Sequence, residues 1–306
     1  MQHTVAAIAP IFLIIILGFV LHRTRIIGEE IWSAVEHLCF YLLLPVLIVK
    51  TLSRASLGGI PVADFLLVLF VAVLGMSVLM LVTKAFLTGR AVSEATFTSL
   101  FQGATRFHGF MALAIIGPLY GEPGLALAAI ALAMMVPLLN AINVVVLVKY
   151  GDSGSSPEPA QVFIKVVQNP LILACAIGLL FNFTGLPDIV FNSIEIVGDG
   201  GLGLALLSVG AGLRFGHAAS NFLLVSLGVV VRLVGMPAIV LLMVWITELE
   251  GLPRTIAIIS GAVPTASSSY VMARKMGGDA PMMSNILTFQ ILVSFVTLPL
   301  FIYLAG

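Results

Sequence analysis

The chain has 306 residues, of which 60% are apolar and only 9% are charged. Soluble domains carry roughly 25% charged residues, so a soluble globule of this composition could not cover its surface with polar side chains. Lysine plus arginine and aspartate plus glutamate balance at 14 each, which leaves no basic excess to attract nucleic acid. The composition predicts an integral membrane protein whose partner is the lipid bilayer.

Ten apolar runs follow one another along the chain, and each is long enough to cross a bilayer as a helix. The predicted helices cover residues 5–21, 31–53, 62–86, 95–119, 124–148, 162–183, 189–213, 219–246, 254–275 and 282–304. No basic residue precedes the first run and no small-residue cleavage site follows it, so we interpret it as a retained span. Cys39 and Cys175 lie far apart in apolar runs, which predicts packed thiols.

The polar segment 151–160 divides the predicted helices into two halves of five. A shift of 160 residues aligns Gly18 with Gly178, and a shift of 158 aligns Gly103 with Gly261. Such matches favour an internal repeat, and an odd number of spans in each repeat makes the second copy inverted. We predict an all-α polytopic fold with a first repeat at 1–150, a linker at 151–160 and a second repeat at 161–306.

Basic residues of the connecting loops predict the orientation in the cell membrane. If the N-terminus lies outside, nine basic residues fall in cytoplasmic connections and only Arg54 and Arg254 in outer ones. The nine are Arg23, Arg25, Lys84, Arg90, Lys149, Lys165, Arg214, Arg274 and Lys275. Both termini are therefore expected outside, and the 151–160 linker in the cytoplasm.

The fourth predicted helix carries Gln102, Thr105, Arg106 and His108 close together, beside glycines. Polar groups in mid-membrane are costly unless they are paired or solvated, so the cluster predicts a broken helix that lines a polar cavity. The alternative is a helix that starts later, with Arg106 reaching the membrane interface.

The ninth predicted helix has a matching interruption, in which Pro264 follows Gly261 and precedes the serines 267–269. Proline frees a carbonyl group, and the half-helix that follows begins with unpaired N–H groups that suit an anion. A simple proline kink, with serines bonded to the helix backbone, is the alternative. Breaks at corresponding places of two halves are the best sequence indication of a transporter's binding site.

Other polar residues inside the predicted helices are less specific. Asp199 either carries a coupling proton, contacts a cation, caps a helix or faces outer water, and Arg232 either pairs with a carboxylate or reaches an interface. Asn140, Asn285 and Gln290 are expected to form interhelical hydrogen bonds and gain interest because their helices follow the two breaks. No ATP-binding loop, metal-binding motif or nucleophile elbow occurs, so we expect no cofactor, no metal and no enzyme.

Several stretches resemble the bacterial branch of the auxin efflux carrier family of membrane transport proteins. They are residues 40–45, 106–110, 208–213, 264–273, 277–279 and 288–299, and the resemblance covers essentially the whole chain. It implies ten helices in two inverted repeats, with unwound fourth and ninth helices that cross, on a plan similar to plant PIN carriers and bile-acid-transporter-like folds. Helices 1, 2, 6 and 7 would form a scaffold, often a dimerising one, and helices 3–5 and 8–10 a moving transport unit.

The resemblance also implies a class of substrate, since family members move organic anions such as auxin in plants and malonate or malate in bacteria. One departure concerns His108, which stands where members commonly have Asn and which can titrate near neutral pH. Another is Ala112-Leu113-Ala114, which replaces a Gly-x-Pro, so a less sharply broken fourth helix is expected.

The leading hypothesis is a secondary transporter that moves a small organic anion by alternating access, with export favoured by a cell that is negative inside. The residues expected to bind the anion are Gln102, Arg106, His108, Asn140, Pro264, Thr265, Ser267, Ser268, Asn285 and Gln290. Proton symport through Asp199 or His108 and uniport are both left open. A cation/proton antiporter is the runner-up, although it needs buried carboxylates at the crossing. A membrane sensor would need a cytoplasmic output module larger than the 151–160 linker.

Overall fold

The computed structural model describes residues 2–56, 58–87, 92–152, 164, 167–214 and 222–305. Every regular element within these ranges is a helix, so the all-helical architecture is as predicted. We number the helices α1 (Gln2–Arg23), α2 (Glu29–Ser53), α3 (Val62–Leu87), α4 (Glu94–Thr105), α5 (Gly109–Tyr150), α6 (Pro170–Thr184), α7 (Asp188–Ala211), α8 (Phe222–Thr247), α9 (Gly251–Ala262), α10 (Ser268–Lys275) and α11 (Ala280–Ala305).

The long helices have the length and the apolar surface of membrane spans. By length and apolar composition, six stretches of the described chain can cross a bilayer: Glu29–Ser53, Val62–Phe86, Glu94–Tyr150, Asp188–Ala211, Phe222–Thr247 and Ala280–Ala305. Large apolar side chains point outward, including Phe183 at 86% exposure and Leu223 at 80%. Water does not tolerate so much exposed apolar surface, whereas lipid does.

Two predicted helices are each divided in the structure. The predicted helix 95–119 is interrupted at Arg106–His108, so that α4 ends before this segment and α5 begins after it. The predicted helix 254–275 is interrupted over residues 263–267, between α9 and α10. Helix α5 continues through the predicted helix 124–148 and bends at Gly121, whose φ of 59° suits glycine. The start of the predicted sixth helix and residues 153–160 of the linker lie outside the described residues.

Helices α2 and α8 each contain a wide π turn two residues before a proline. The turn Cys39–Leu43 precedes Pro45, and the turn Val231–Gly235 precedes Pro237. Because proline has no N–H to donate, the regular series of hydrogen bonds along the helix backbone is interrupted there, and a π turn accommodates the mismatch. Single π turns inside helices are frequent at functional sites, and the one in α8 carries Arg232.

The chain forms two compact units. Unit 1 contains Met1–Val62, Gly109–Met134 and Ile164–Gly212, and therefore α1, α2, α6, α7 and the first part of α5. Its helices pack closely at glycines: a Cβ on Gly18 would strike the carbonyl oxygen of Leu207, and one on Gly210 would strike that of Ile15. Helices α1 and α7 are thus in backbone contact, which only a missing side chain allows.

Unit 2 contains Ala63–His108, Met135–Phe163 and Leu213–Gly306, and therefore α3, α4, α8 to α11 and the last part of α5. Asp279 connects the first turns of α4 and α11 through hydrogen bonds. Its Oδ2 accepts a hydrogen bond from Thr96 Oγ1 at 2.8 Å, and its Oδ1 accepts one from the backbone N–H of Met282 at 3.0 Å. Both helix interruptions lie in this unit.

Candidate functional site

The two helix interruptions in unit 2 begin with the same backbone conformation. Arg106, which directly follows α4, has φ −69° and ψ 153°, and Val263, which directly follows α9, has φ −67° and ψ 149°. Val263 is extended because Pro264 follows it and excludes the helical region. No proline follows Thr105, so the end of α4 depends on contacts with other helices.

Hydrogen bonds join the two interruptions directly. Thr265 Oγ1 donates to the carbonyl oxygen of Gln102 at 3.2 Å. Arg232 of α8 donates from Nε to the carbonyl oxygen of Val263 at 2.9 Å and from Nη1 to that of Thr105 at 3.5 Å. The carbonyl groups that the broken helices leave free are thus satisfied by a side chain of a third helix.

Gln290 of α11 also joins the two interruptions, and both its side-chain oxygen and its side-chain nitrogen form hydrogen bonds within the protein. Its Oε1 accepts from the backbone N–H of Thr265 at 2.8 Å, and its Nε2 donates to the carbonyl oxygens of Gly103 and Gly228, each at 2.9 Å. The side chain is completely buried. Gln290 therefore fixes both interruptions relative to α8 and α11.

Arg106 belongs to the first interruption, and its side chain, which is only 7% exposed, reaches the second. Its Nη2 donates to Asn140 Oδ1 at 2.8 Å and to Ser268 Oγ at 3.1 Å, and its Nη1 contacts Met272 Sδ at 3.0 Å. All of these partners are neutral, and Arg106 forms no ion pair with any described residue. A buried guanidinium with neutral partners alone attracts an anion.

The first turn of α10 lies beside this guanidinium. Ser267 and Ser268 begin α10, and no side-chain hydrogen bond caps the helix at Ser267. The N-terminal end of a helix carries a partial positive charge of about half an elementary charge. The exposed residue Ser268 connects the buried arginine with the surface of the unit.

Two further predicted site residues are buried nearby. His108 is 2% exposed, and its Nε2 lies 3.3 Å from Ser267 Oγ. Gln102 is completely buried, and neither Nε2 nor Oε1 of its side chain has a hydrogen-bond partner among the described residues. Leaving a buried amide without hydrogen bonds costs free energy, and a bound molecule would supply the missing partners to its two polar atoms.

The remaining predicted site residues occupy different positions. Pro264 and Thr265 are buried at the second interruption, and Asn285 is buried on α11, 6% exposed. Asp199 lies in unit 1, with a side chain that is 61% exposed, and its Oδ1 accepts a hydrogen bond from Lys50 Nζ at 2.7 Å. The structure thus brings together the residues of the two interruptions, whereas Asp199 belongs to the other unit.

Two features of the structure differ from the sequence interpretation. Arg232 neither pairs with a carboxylate nor reaches an interface; it is completely buried and bonds to main-chain carbonyl groups. Lys50, which lies inside the predicted helix 31–53, is only 8% exposed and lies between Asp199 and Glu195, whose Oε1 is 3.3 Å from Nζ. A lysine inside an apolar run was the signal that could have indicated such an ion pair.

Comparison with known proteins gives consistent matches along the chain. The family model described as "Membrane transport protein" matches residues 3–153 and 158–302. The chain is 22% identical over 298 residues to an uncharacterized transporter of Methanothermobacter thermautotrophicus, covering 96% of this chain and 95% of that one. It is 23% identical over 308 residues to the uncharacterized transporter YfdV of Escherichia coli, covering 97% and 96%. Auxin efflux carrier component 5 of Arabidopsis thaliana is 28% identical over 156 residues, covering 48% of this chain and 44% of the plant protein.

Proposed function

The chain belongs to the membrane transport protein family, the auxin efflux carrier family that its sequence resembles, and on this basis we propose that it is a secondary carrier of a small organic anion. The name of the plant relative describes the efflux of auxin, which is an organic acid. For this chain we propose only the same chemical class of substrate, a carboxylate or dicarboxylate. Export is the proposed direction, because one negative charge gains about 2.3 kcal/mol per 100 mV on leaving a cell that is negative inside.

The observation that carries this proposal is Arg106. Its guanidinium is buried, its hydrogen-bond partners are neutral, and it lies beside the positive end of α10. Guanidinium groups bind carboxylates through two parallel hydrogen bonds, which makes arginine the usual residue for this ligand. We propose that Arg106 and Ser268 hold the carboxylate, and that Asn140 positions the guanidinium.

The other predicted residues have two kinds of role in this proposal. His108, Ser267 and Gln102 contact the rest of the substrate, because they lie at the interruptions and the side-chain amide of Gln102 has no hydrogen-bond partner among the described residues. Thr265 and Gln290 maintain the shape of the site through the bonds that connect the two interruptions. Pro264 ends α9, and Asn285 is proposed to line the wall formed by α11.

The charges of unit 2 argue against the runner-up function. A cation/proton antiporter needs carboxylates buried beside the broken helices. Among the described residues of this chain, the buried charged and titratable groups at the interruptions are Arg106, His108 and Arg232, and no buried aspartate or glutamate accompanies them. The lack of buried carboxylates there, together with the positive charge of Arg106, favours an anion over a cation.

We also propose how the fold serves transport. The ten predicted spans form two inverted repeats, unit 1 supplies a scaffold, and unit 2 is the part that moves during alternating access. The division of helices into unit 1, with α1, α2, α6 and α7, and unit 2, with α3, α4 and α8 to α11, supports this plan. A homodimer through the scaffold helices is part of the proposal, and the molar mass of the purified protein in detergent, measured by light scattering, tests it.

Proton coupling is assigned to His108 in preference to Asp199. His108 is buried next to Ser267 at the proposed site, whereas the Asp199 carboxylate is largely exposed and already paired with Lys50. We expect His108→Asn to transport the anion but to lose any acceleration by a pH gradient, because an amide neither takes up nor releases a proton near neutral pH. Uptake by proteoliposomes with and without the gradient measures this. Loss of the acceleration in Asp199→Asn, with His108→Asn unaffected, would reverse the assignment.

Binding of carboxylates to the purified protein tests the proposed function. A ligand at 100 times its Kd stabilises the folded state by about 2.7 kcal/mol, which a thermal unfolding curve resolves. We expect malonate, malate or acetate to raise the unfolding midpoint with the logarithm of their concentration above Kd, and methylammonium and choline at equal ionic strength to leave it unchanged. Stabilisation by the cations and not by any carboxylate would point to the antiporter instead.

A further inference from the structure

Arg232 is the most deeply buried charge of unit 2 that the proposed binding of substrate does not use. It is completely buried, in the π turn of α8, and forms no ion pair with any described residue. It donates hydrogen bonds to the carbonyl oxygens of Val263 and Thr105, and its Nη2 has no partner among the described residues. A charge in such a place requires a compensating charge.

The compensation comes from the helix ends that these two carbonyl groups belong to. Thr105 is the last residue of α4, and Val263 directly follows the last residue of α9. The C-terminal end of a helix carries about half a negative charge, so two such ends together equal about one. One guanidinium placed at both ends therefore neutralises them, and it is itself neutralised.

A metal cation would suit the same position. In transporters with broken helices, free backbone carbonyls and the C-terminal ends of half-helices bind the coupling sodium ion. Here the carbonyl oxygens at the ends of α4 and α9 converge on the nitrogens of Arg232, at 3.5 Å and 2.9 Å. The side chain occupies the place that a bound ion would need.

We propose that Arg232 is a resident cation, which holds the ends of α4 and α9 together and makes a coupling metal ion unnecessary for transport. Since the charge of Arg232 is balanced within the protein, Arg106 with the N-terminal end of α10 provides the charge that the substrate meets. The statement about substrate charge rests on the proposed function. The statement about the helix ends does not, because it concerns the stability of unit 2 without substrate.

The test removes the guanidinium and offers cations in its place. In the purified full-length protein, Arg232→Ala is expected to lower the unfolding midpoint by at least about 5 °C. Millimolar methylguanidinium or sodium, compared with choline at the same ionic strength, is expected to restore part of this loss. Wild type and the control Arg274→Ala, an exposed arginine of α10, are expected to show no such response. An Arg232→Ala midpoint equal to that of wild type, or a loss that is the same in all three salts, would overturn the proposal.

A second measurement keeps the proposal testable where Arg232→Ala does not fold. Arg232→Lys keeps the charge and should fold, with a midpoint that does not respond to sodium. Wild-type flux should be equal in sodium and choline buffers; flux that requires sodium would overturn the inference while leaving anion transport intact. If carboxylates are not transported at all, the thermal measurements still decide the role of Arg232.

Discussion

Replacing Arg106 by glutamine is expected to weaken carboxylate binding at least tenfold and to abolish net transport. A hydrogen bond to a charged group contributes about 1.5–3 kcal/mol, and about 1.4 kcal/mol corresponds to a factor of ten in affinity. Arg106→Lys keeps the charge but loses the planar fork that binds two oxygens, so an intermediate affinity is expected. The measurement is the unfolding midpoint as a function of malonate concentration c, from which Kd follows through the relation RT ln(1 + c/Kd).

The control for Arg106 is Arg274→Gln, which removes an exposed arginine of α10 and should leave affinity unchanged. Arg106→Gln itself should remain folded, because its amide can replace the guanidinium in the bonds to neutral groups such as Asn140 and Ser268. If a folded Arg106→Gln protein binds and transports malonate as wild type does, Arg106 does not recognise the substrate.

Replacing Gln290 by methionine is expected to destabilise the protein by about 3 kcal/mol, with a fall of about 5–10 °C in the unfolding midpoint. Methionine has a similar volume but leaves the N–H of Thr265 and the carbonyl oxygens of Gly103 and Gly228 without their present partner. Unpaired buried groups are among the few causes of so large an effect. Because both interruptions lose a common support, transport should fall as well.

Gln290→Glu separates the two kinds of hydrogen bond. A carboxylate still accepts from Thr265 but cannot donate to Gly103 and Gly228, so the unfolding midpoint of Gln290→Glu should lie below that of wild type. Gln168→Met, at an exposed position of unit 1, serves as the control and should leave the midpoint unchanged. A Gln290→Met protein as stable as wild type would show that these bonds do not hold the interruptions.

The local sequence predicts the second interruption better than the first. Pro264 forces Val263 out of the helical region, and this effect needs no knowledge of the rest of the fold. At the first interruption the sequence offers only a cluster of polar residues, and the bonds at the end of α4 come from Arg232 and Gln290, more than a hundred residues away. The polar cluster located the break, but the end of α4 at Thr105 required the structure.

Arg232 and Lys50 show what sequence reasoning misses. Arg232 bonds to backbone carbonyl groups, which every residue has, so no partner can be identified from residue types. Lys50 pairs with a carboxylate 149 residues further along the chain, and no periodicity connects them. Asp199 alone left several roles open, and the structure adds that its carboxylate pairs with Lys50. Apolar periodicity predicts helices, whereas pairing between distant helices follows from packing.

Flux of a labelled carboxylate across a membrane tests the central claim most directly. Purified wild type, Arg106→Gln and Arg274→Gln are reconstituted into proteoliposomes, and the initial rate of malonate movement is measured at a set membrane potential. We predict saturable flux by wild type and Arg274→Gln, faster when the potential drives anions across, and background flux by Arg106→Gln. No carboxylate flux by folded wild-type protein, or equal flux by Arg106→Gln, would contradict the claim that this chain carries organic anions through Arg106.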